Sequence, residues 1–359
     1  MSRQSLEIES LAAFDHQVAE TSALAGWFVQ SVDLRERGQV LRAVDPHGAV
    51  FLGCQLDRAT QAWLSAHGAL LFPALPDLPF DPYRPRLYAA DELLGGATYA
   101  QSLDAMVYAW SRTHRRKEVA PTLATSLHDH AIGEALNDAL ADVDSAAVVG
   151  VMGGHALLRG EPGYLDAARL GRRLARAGRT VLTGGGPGAM EAANLGAYLA
   201  HERDEELETA VDVLATVPSF RPDVDAWVRV ALAVRSRYAD RPGTSVGIPT
   251  WFYGHEPPNA FATSIAKYFG NALREDSLLH RCRGGIVVLP GAAGTVQEIF
   301  QAATENYYAA SPHQVAPIWL VGRTYWSDQL PAAPLLQALG AGRPMAAAVH
   351  VVDDVHALP

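Results

Sequence analysis

From Ser145 onward, short apolar runs alternate with longer amphipathic stretches. Ala146–Val151, Thr180–Thr183, Ala210–Thr216, Ser245–Pro249, Gly285–Leu289, Ala316–Val321 and Ala347–Val351 read as strands. Apolar runs this short and this continuous suit strands buried on both faces of a parallel sheet. Helical spacing of apolar residues occupies Tyr164–Ala177, Ala189–Ala200, Ala260–Arg281, Val296–Tyr308 and Ser327–Leu339, and Gly178 is a fitting C-cap for the first of them. His201–Glu208 reads as an acidic surface excursion. Strand, loop and helix in repetition predict an α/β fold, a Rossmann-like doubly wound parallel sheet.

The first part of the chain has a different rhythm. Val50–Leu52 and Ala69–Phe72 are apolar enough for strands, and Phe80–Tyr88 is a loop punctuated by Pro82 and Pro85. The spacing of Leu34, Leu41, Val44 and Phe51 hints at a stacked-turn repeat. The pattern predicts a smaller appended α+β domain at residues 1–125, joined through Pro121–Ala131 to a nucleotide-binding domain at 126–359.

Composition narrows the field. The chain has 359 residues, enough for two domains, and 49% of them are hydrophobic. No apolar stretch approaches the roughly eighteen residues of a membrane span, and MSRQSLEIES is not a signal-peptide pattern, so no membrane partner is expected and the expected location is cytoplasmic. A net charge of −10 argues against polymeric nucleic acid as a partner. The basic cluster Arg112, Arg115, Arg116 and Lys117 is short and reads as a solvated helix face. Cys54 and Cys282 are expected to be lone thiols, and His128-Asp129-His130 a polar cluster at a helix start; no metal site is expected. Only two lysines occur, Lys117 and Lys267, neither in a recognisable cofactor loop, which excludes a pyridoxal-phosphate decarboxylase. No cofactor is expected.

Two loops carry the chemistry. Pro290, Gly291, Ala292, Ala293, Gly294 and Thr295 join a strand to a helix, which leaves unsatisfied N–H groups facing outward at a positive dipole end. Small side chains let that backbone approach a phosphate, Thr295 adds a hydroxyl, and Glu298 sets a carboxylate one turn into the helix. Gly184, Gly185, Gly186, Pro187, Gly188, Ala189, Met190 and Glu191 form the second strand-to-helix turn. Three consecutive glycines imply positive φ angles or a close backbone approach. Glu191 occupies the third-glycine position of a dinucleotide fingerprint, and no P-loop lysine is present.

In this order and at this distance, the two loops resemble those of the Lonely Guy (LOG) family of phosphoribohydrolases, often misnamed lysine decarboxylases. Ala292 stands where that family usually has its second glycine. The resemblance covers about Ala146 to Val352; the added N-terminal segment is closer to the longer bacterial nucleotide nucleosidases of the superfamily. It implies a phosphate site on Gly291–Thr295, catalysis by Glu298, and an arginine about sixteen residues before the proline, here Arg274. The family's arginine-lysine pair reads Arg274-Glu275 in this chain, with Arg281 and Arg283 as rivals. It also implies a homodimer or larger symmetric assembly through the Phe261–Leu273 region. Gly153, Gly154 and His155 end the first strand, where open α/β sheets bind ligands; His155 is a base or phosphate contact, or an ordinary loop histidine. The loop from Ile248 to Asn259, with its aromatic cluster, is a base-binding wall or a subunit contact. Glu305 shares a helix face with Glu298 but lies far from the phosphate end. The expected activity is hydrolysis of a nucleoside 5′-monophosphate to free base and ribose 5-phosphate. The alternative is a non-catalytic binding or carrier protein using the same pocket.

Overall fold

Ile8, Val29, Phe51 and Leu71 stand side by side on four strands, one rung from each strand–helix repeat. The strands are β1 (Leu6–Ile8), β2 (Trp27–Gln30), β3 (Val50–Leu52) and β4 (Leu70–Phe72), separated by α1 (Leu11–Val18), α2 (Gly38–Arg42) and α3 (Arg58–Ala66). They pair in sequence order, all parallel. Leu34, Leu41 and Phe51 are buried in the shared core and Val44 packs against it, so their spacing does mark a stacked repeat. This is a computed structural model, and it describes residues 6–113, 118–252, 254 and 256–358. Arg115, Arg116 and Lys117 of the basic cluster, and Tyr253 and His255 of the aromatic loop, lie outside the described residues.

The chain divides into two units, Met1–Arg86 with Arg115–Glu134, and Leu87–His114 with Ala135–Pro359. Pro121–Ala131, read as the join between the domains, lies inside helix α6 (Val119–Ala139), which follows α4 (Ala90–Leu94) and α5 (Leu103–Thr113). Pro121 falls in the first turn of α6, where its missing N–H costs nothing. His128 is therefore mid-helix rather than at a helix start. It is fully buried with its ring edge-on to Phe80, and burial lowers its pKa.

The second unit is built on seven parallel strands in the order β11-β10-β9-β5-β6-β7-β8. Its elements are β5 (Val148–Met152), α7 (Pro162–Arg176), β6 (Thr180–Thr183), α8 (Ala189–Tyr198), α9 (Asp204–Ala215), α10 (Val224–Arg237), β7 (Ser245–Gly247), β8 (Ser264–Ile265), α11 (Asn271–Leu279), β9 (Ile286–Val288), α12 (Ala293–Tyr308), β10 (Ile318–Val321), α13 (Ala332–Gly340) and β11 (Val349–Val352). This is a Rossmann-like α/β fold. Helices α7 and α8 pack backbone to backbone: a Cβ on Gly171 would lie 2.0 Å from the Ala193 carbonyl oxygen, and one on Gly196 would lie 1.8 Å from that of Ala168. Among the described residues, no helix is long and apolar enough to cross a membrane.

Two expected elements differ. Ala210–Thr216 lies in α9 and its C-cap, not in a strand: Leu207, Ala210, Val211 and Leu214 are buried at helical spacing. The acids of His201–Glu208 are the first turns of that helix, where Asp204, Glu205 and Glu206 face its positive end. The helix expected from Ala260 begins only at Asn271. Its earlier backbone groups bond outside the segment instead, Ala266 N–H to the Gly247 carbonyl, Tyr268 N–H to that of Pro249, and Ile265 N–H to that of Tyr88. Phe261, Ile265 and Tyr268 are consequently core residues, not one face of a helix.

Leu87–Thr113 belongs to this second unit. The buried Asp104 of α5 accepts from Lys267 Nζ at 2.5 Å, Trp251 Nε1 at 2.7 Å and the Tyr99 hydroxyl at 2.5 Å. These bonds fix the start of the aromatic loop from within the unit.

Candidate functional site

The carboxyl ends of β5, β6, β7 and β9 surround a cavity of about 410 Å³ in the second unit. The central strands β5 and β9 are neighbours although far apart in sequence, so this is the crevice where open α/β sheets take ligands. Three loops are strung together by backbone bonds. Gly154 N–H donates to the Pro290 carbonyl at 3.0 Å, and Ala189 N–H donates to the Gly154 carbonyl at 3.0 Å. Gly188 has φ +74°, and a Cβ there would lie 2.2 Å from the Gly154 oxygen, so only glycine lets the loops meet. Asn259 ties the rim, donating from N and Nδ2 to the carbonyls of Gly185 and Gly186.

Of the residues singled out from sequence, Gly153, His155, Gly184, Gly186, Met190, Arg274, Ala292, Ala293, Gly294, Thr295 and Glu298 line the cavity. Gly154, Gly185, Gly188, Pro290 and Gly291 are not in the lining; they shape the loops behind it. The first intrahelical bond of α12 runs from Val296 N–H to the Ala292 carbonyl, so the amides of Ala293, Gly294 and Thr295 precede it at the cavity. Ala292 has φ −104°, open to any residue, and its side chain is exposed. Gly291 is the glycine the turn requires, since a Cβ there would meet Thr295 Oγ1 at 2.2 Å.

Arg274 is buried among protein acceptors. Its Nε donates to the Ile248 carbonyl at 2.7 Å, Nη2 to the Gly184 carbonyl at 3.3 Å, and Nη1 to Glu275 Oε1 at 2.5 Å; Nη1 also lies 3.5 Å from Glu298 Oε1. One guanidinium therefore joins the glycine loop, the end of β7, α11 and α12. Glu298 is 7% exposed. Burial raises its pKa to about 7 against the opposing pull of Arg274, with Glu275 adding to the rise. The rivals lie elsewhere: Arg281 donates to the Ser277 carbonyl and Asn137, while Arg283 donates to the Gln314 carbonyl and faces Glu305.

Sequence reasoning missed Glu275, Asn271 and Gln297, which also line the cavity, while Thr250 and Glu256 line it from the loop read as a base-binding wall or a subunit contact. Glu275 was visible only as the neighbour of Arg274. Glu191 was visible only as a departure from a fingerprint. It is in fact wholly buried, receiving Arg159 Nε at 2.8 Å and the Tyr164 hydroxyl at 3.0 Å, and so anchors α8. Lys267, the one lysine among the described residues, does not line the cavity. Among the described residues no group of three or more His, Cys, Asp or Glu side chains is arranged to hold a metal ion.

Fold and cavity together define a Rossmann-like α/β protein with a glycine-framed cavity at its switch point. Two family models match parts of this unit, one described as "Possible lysine decarboxylase" over residues 232–358 and one as "SLOG cluster4 family" over residues 146–203, so the unit is similar to the LOG/SLOG proteins over those residues. Among solved structures, it is similar to the molybdenum cofactor carrier protein from Chlamydomonas reinhardtii (21% identity, 58% of this chain and 91% of that chain, TM-score 0.34). It is also similar to the molybdenum cofactor binding protein from the phototrophic bacterium Rippkaea orientalis (21% identity, 58% and 90% coverage, TM-score 0.33). No curated protein sequence matches the chain.

Proposed function

We propose that the second unit hydrolyses the N-glycosidic bond of a nucleoside 5′-monophosphate, releasing free base and ribose 5-phosphate. The observation that carries this reading is the position of Glu298, a buried carboxylate one turn from the helix end where a phosphate would sit, in the same cavity. A pure anion binder gains nothing from that carboxylate, which repels the ligand. A hydrolase does gain, because cleavage of the C1′–N bond passes through a positively charged, oxocarbenium-like ribose.

In this reading the 5′-phosphate rests on the amides of Ala293–Thr295. As the C1′–N bond breaks, the base leaves with the bonding electrons and is protonated, while water adds to C1′. Ionised Glu298 stabilises the developing positive charge and accepts the water's proton, which then passes to the departing base, leaving Glu298 ionised again. Arg274 holds Glu298 in place against Gly184 and Ile248 rather than gripping the phosphate, since protein acceptors already occupy it. A pyridoxal reaction is no part of this proposal, because Lys267 is sequestered by Asp104.

Incubation with a panel of nucleoside monophosphates, followed by chromatography for free base, tests the reading. Glu298→Gln keeps size and helix geometry while removing the charge. Turnover is expected to fall by roughly 2 to 4 orders of magnitude with nucleotide binding retained or tightened. Full activity in the variant would remove Glu298 from catalysis. Nucleotide binding without base release in the parent protein would favour a carrier or regulatory role for the same pocket.

A further inference from the structure

Arg274 Nη1 serves two carboxylates at once, Glu275 at 2.5 Å and Glu298 at 3.5 Å. Both acids are nearly water-free, at 3% and 7% exposure, and Glu275 Oε2 is buried with no hydrogen-bond partner among the described residues. An acid that only braced Arg274 would have both oxygens satisfied, since a buried unpaired oxygen is costly. Here one oxygen takes the shorter bond to the guanidinium and the other is left bare, beside the acid that carries the proposed chemistry.

We propose that Glu275 is a positioning residue that takes the larger share of the Arg274 cation and thereby sets the pH at which Glu298 becomes a carboxylate. The inference rests on the proposed hydrolysis only for its kinetic arm. Three charges meeting at one buried nitrogen leave a net −1, so ionisation of Glu298 is opposed by Glu275 as well as favoured by Arg274. Among the described residues, the other titratable groups around Glu298 are few. Glu256 and His155 line the same cavity, from the loops after β7 and β5, and Cys282 lies near enough for Glu298 to influence its thiol. None of these shares Nη1. The raised pKa of Glu298, with Glu275 among its causes, agrees with this geometry.

Carbon-13 NMR of glutamate-labelled protein reads the titration directly, the Glu298 signal being assigned by its loss in Glu298→Gln. In Glu275→Gln the midpoint of that signal is expected to move to lower pH by roughly one unit, the scale of losing one like charge at close range. Glu275→Leu removes the same charge with a different side chain and is expected to move the midpoint the same way, so a folding defect in one variant leaves the other to decide. The acidic limb of kcat/KM for base release should shift in parallel. A midpoint that stays put or rises in both variants overturns the proposal. A midpoint that falls in a protein releasing no base from any monophosphate would overturn the hydrolase reading and leave this one standing.

Discussion

Glu298 affects stability as well as chemistry. Its folded pKa of about 7 lies above the ordinary 4.5, so between these values the folded protein binds more protons than the unfolded chain. The stability conferred by the neutral acid is whole below pH 4.5 and is lost as pH rises through 7, a loss on the order of 3 kcal/mol. The melting temperature should therefore fall from pH 5 to pH 7.5, and Glu298→Gln should flatten that fall and melt higher at pH 8. An unchanged slope in the variant would mean that Glu298 ionises as freely as in water. At this scale the sequence was legible where a motif ties a residue to a helix end, as for Thr295 and Glu298. It was silent where the role depends on how a neighbour's side chain turns. Glu275 follows Arg274 directly, and nothing in the sequence says that both carboxylates meet at Nη1.

Among the elements, α8 is the least tolerant of change. All ten of its residues are buried, and it carries the glycine loop at its N-terminus. Its position is set by contact of bare backbone with α7, through Gly196 against the Ala168 carbonyl and Gly171 against that of Ala193. Gly196→Ala gains intrinsic helix propensity yet forces the helices apart, and is expected to cost about 1–3 kcal/mol overall. Denaturant unfolding measures that loss. Weaker nucleotide binding should accompany it, because Ala189 leaves its bond to Gly154. A variant as stable as the parent would show that α7 and α8 separate freely. Helices α8 and α12 were legible because glycine loops announce their starts. The 260–270 segment was not, since its apolar spacing suits a helix and only distant partners at Tyr88, Gly247 and Pro249 claim its backbone. Nor was α9, whose Val211–Val213 run resembles a strand until Leu207 and Leu214 complete the buried stripe.

Across the whole molecule, ligand preference follows from the charges facing the cavity. Glu256, Glu275 and Glu298 line it, with Arg274 the one Lys or Arg side chain among its described lining, and Arg274 is already engaged. In the proposed reading one phosphate rests on the start of α12, whereas further phosphates would add negative charge beside carboxylates with no lysine in the described lining to offset it. Nucleoside monophosphates should accordingly raise the melting temperature more than triphosphates or NAD at equal concentration. Equal or greater stabilisation by NAD would point to a dinucleotide site instead.

The order of the seven-stranded sheet also bears on how the protein is made. Strand β5 needs β9 along one edge, and β6, α8, β7 and α11 all emerge from the ribosome between them. A nascent chain that has reached Arg281 already carries the triple-glycine turn and the guanidinium of Arg274, but Val148, Gly150 and Met152 still offer an open edge to any passing strand. Such an edge invites mispairing for as long as translation lasts, and non-local parallel pairing is slow to form. The late arrival of Ile286–Val288 closes that edge, and the acid at position 298 emerges directly behind it. The polypeptide thus cannot acquire its proposed catalytic group before receiving the strand that shields it from aggregation.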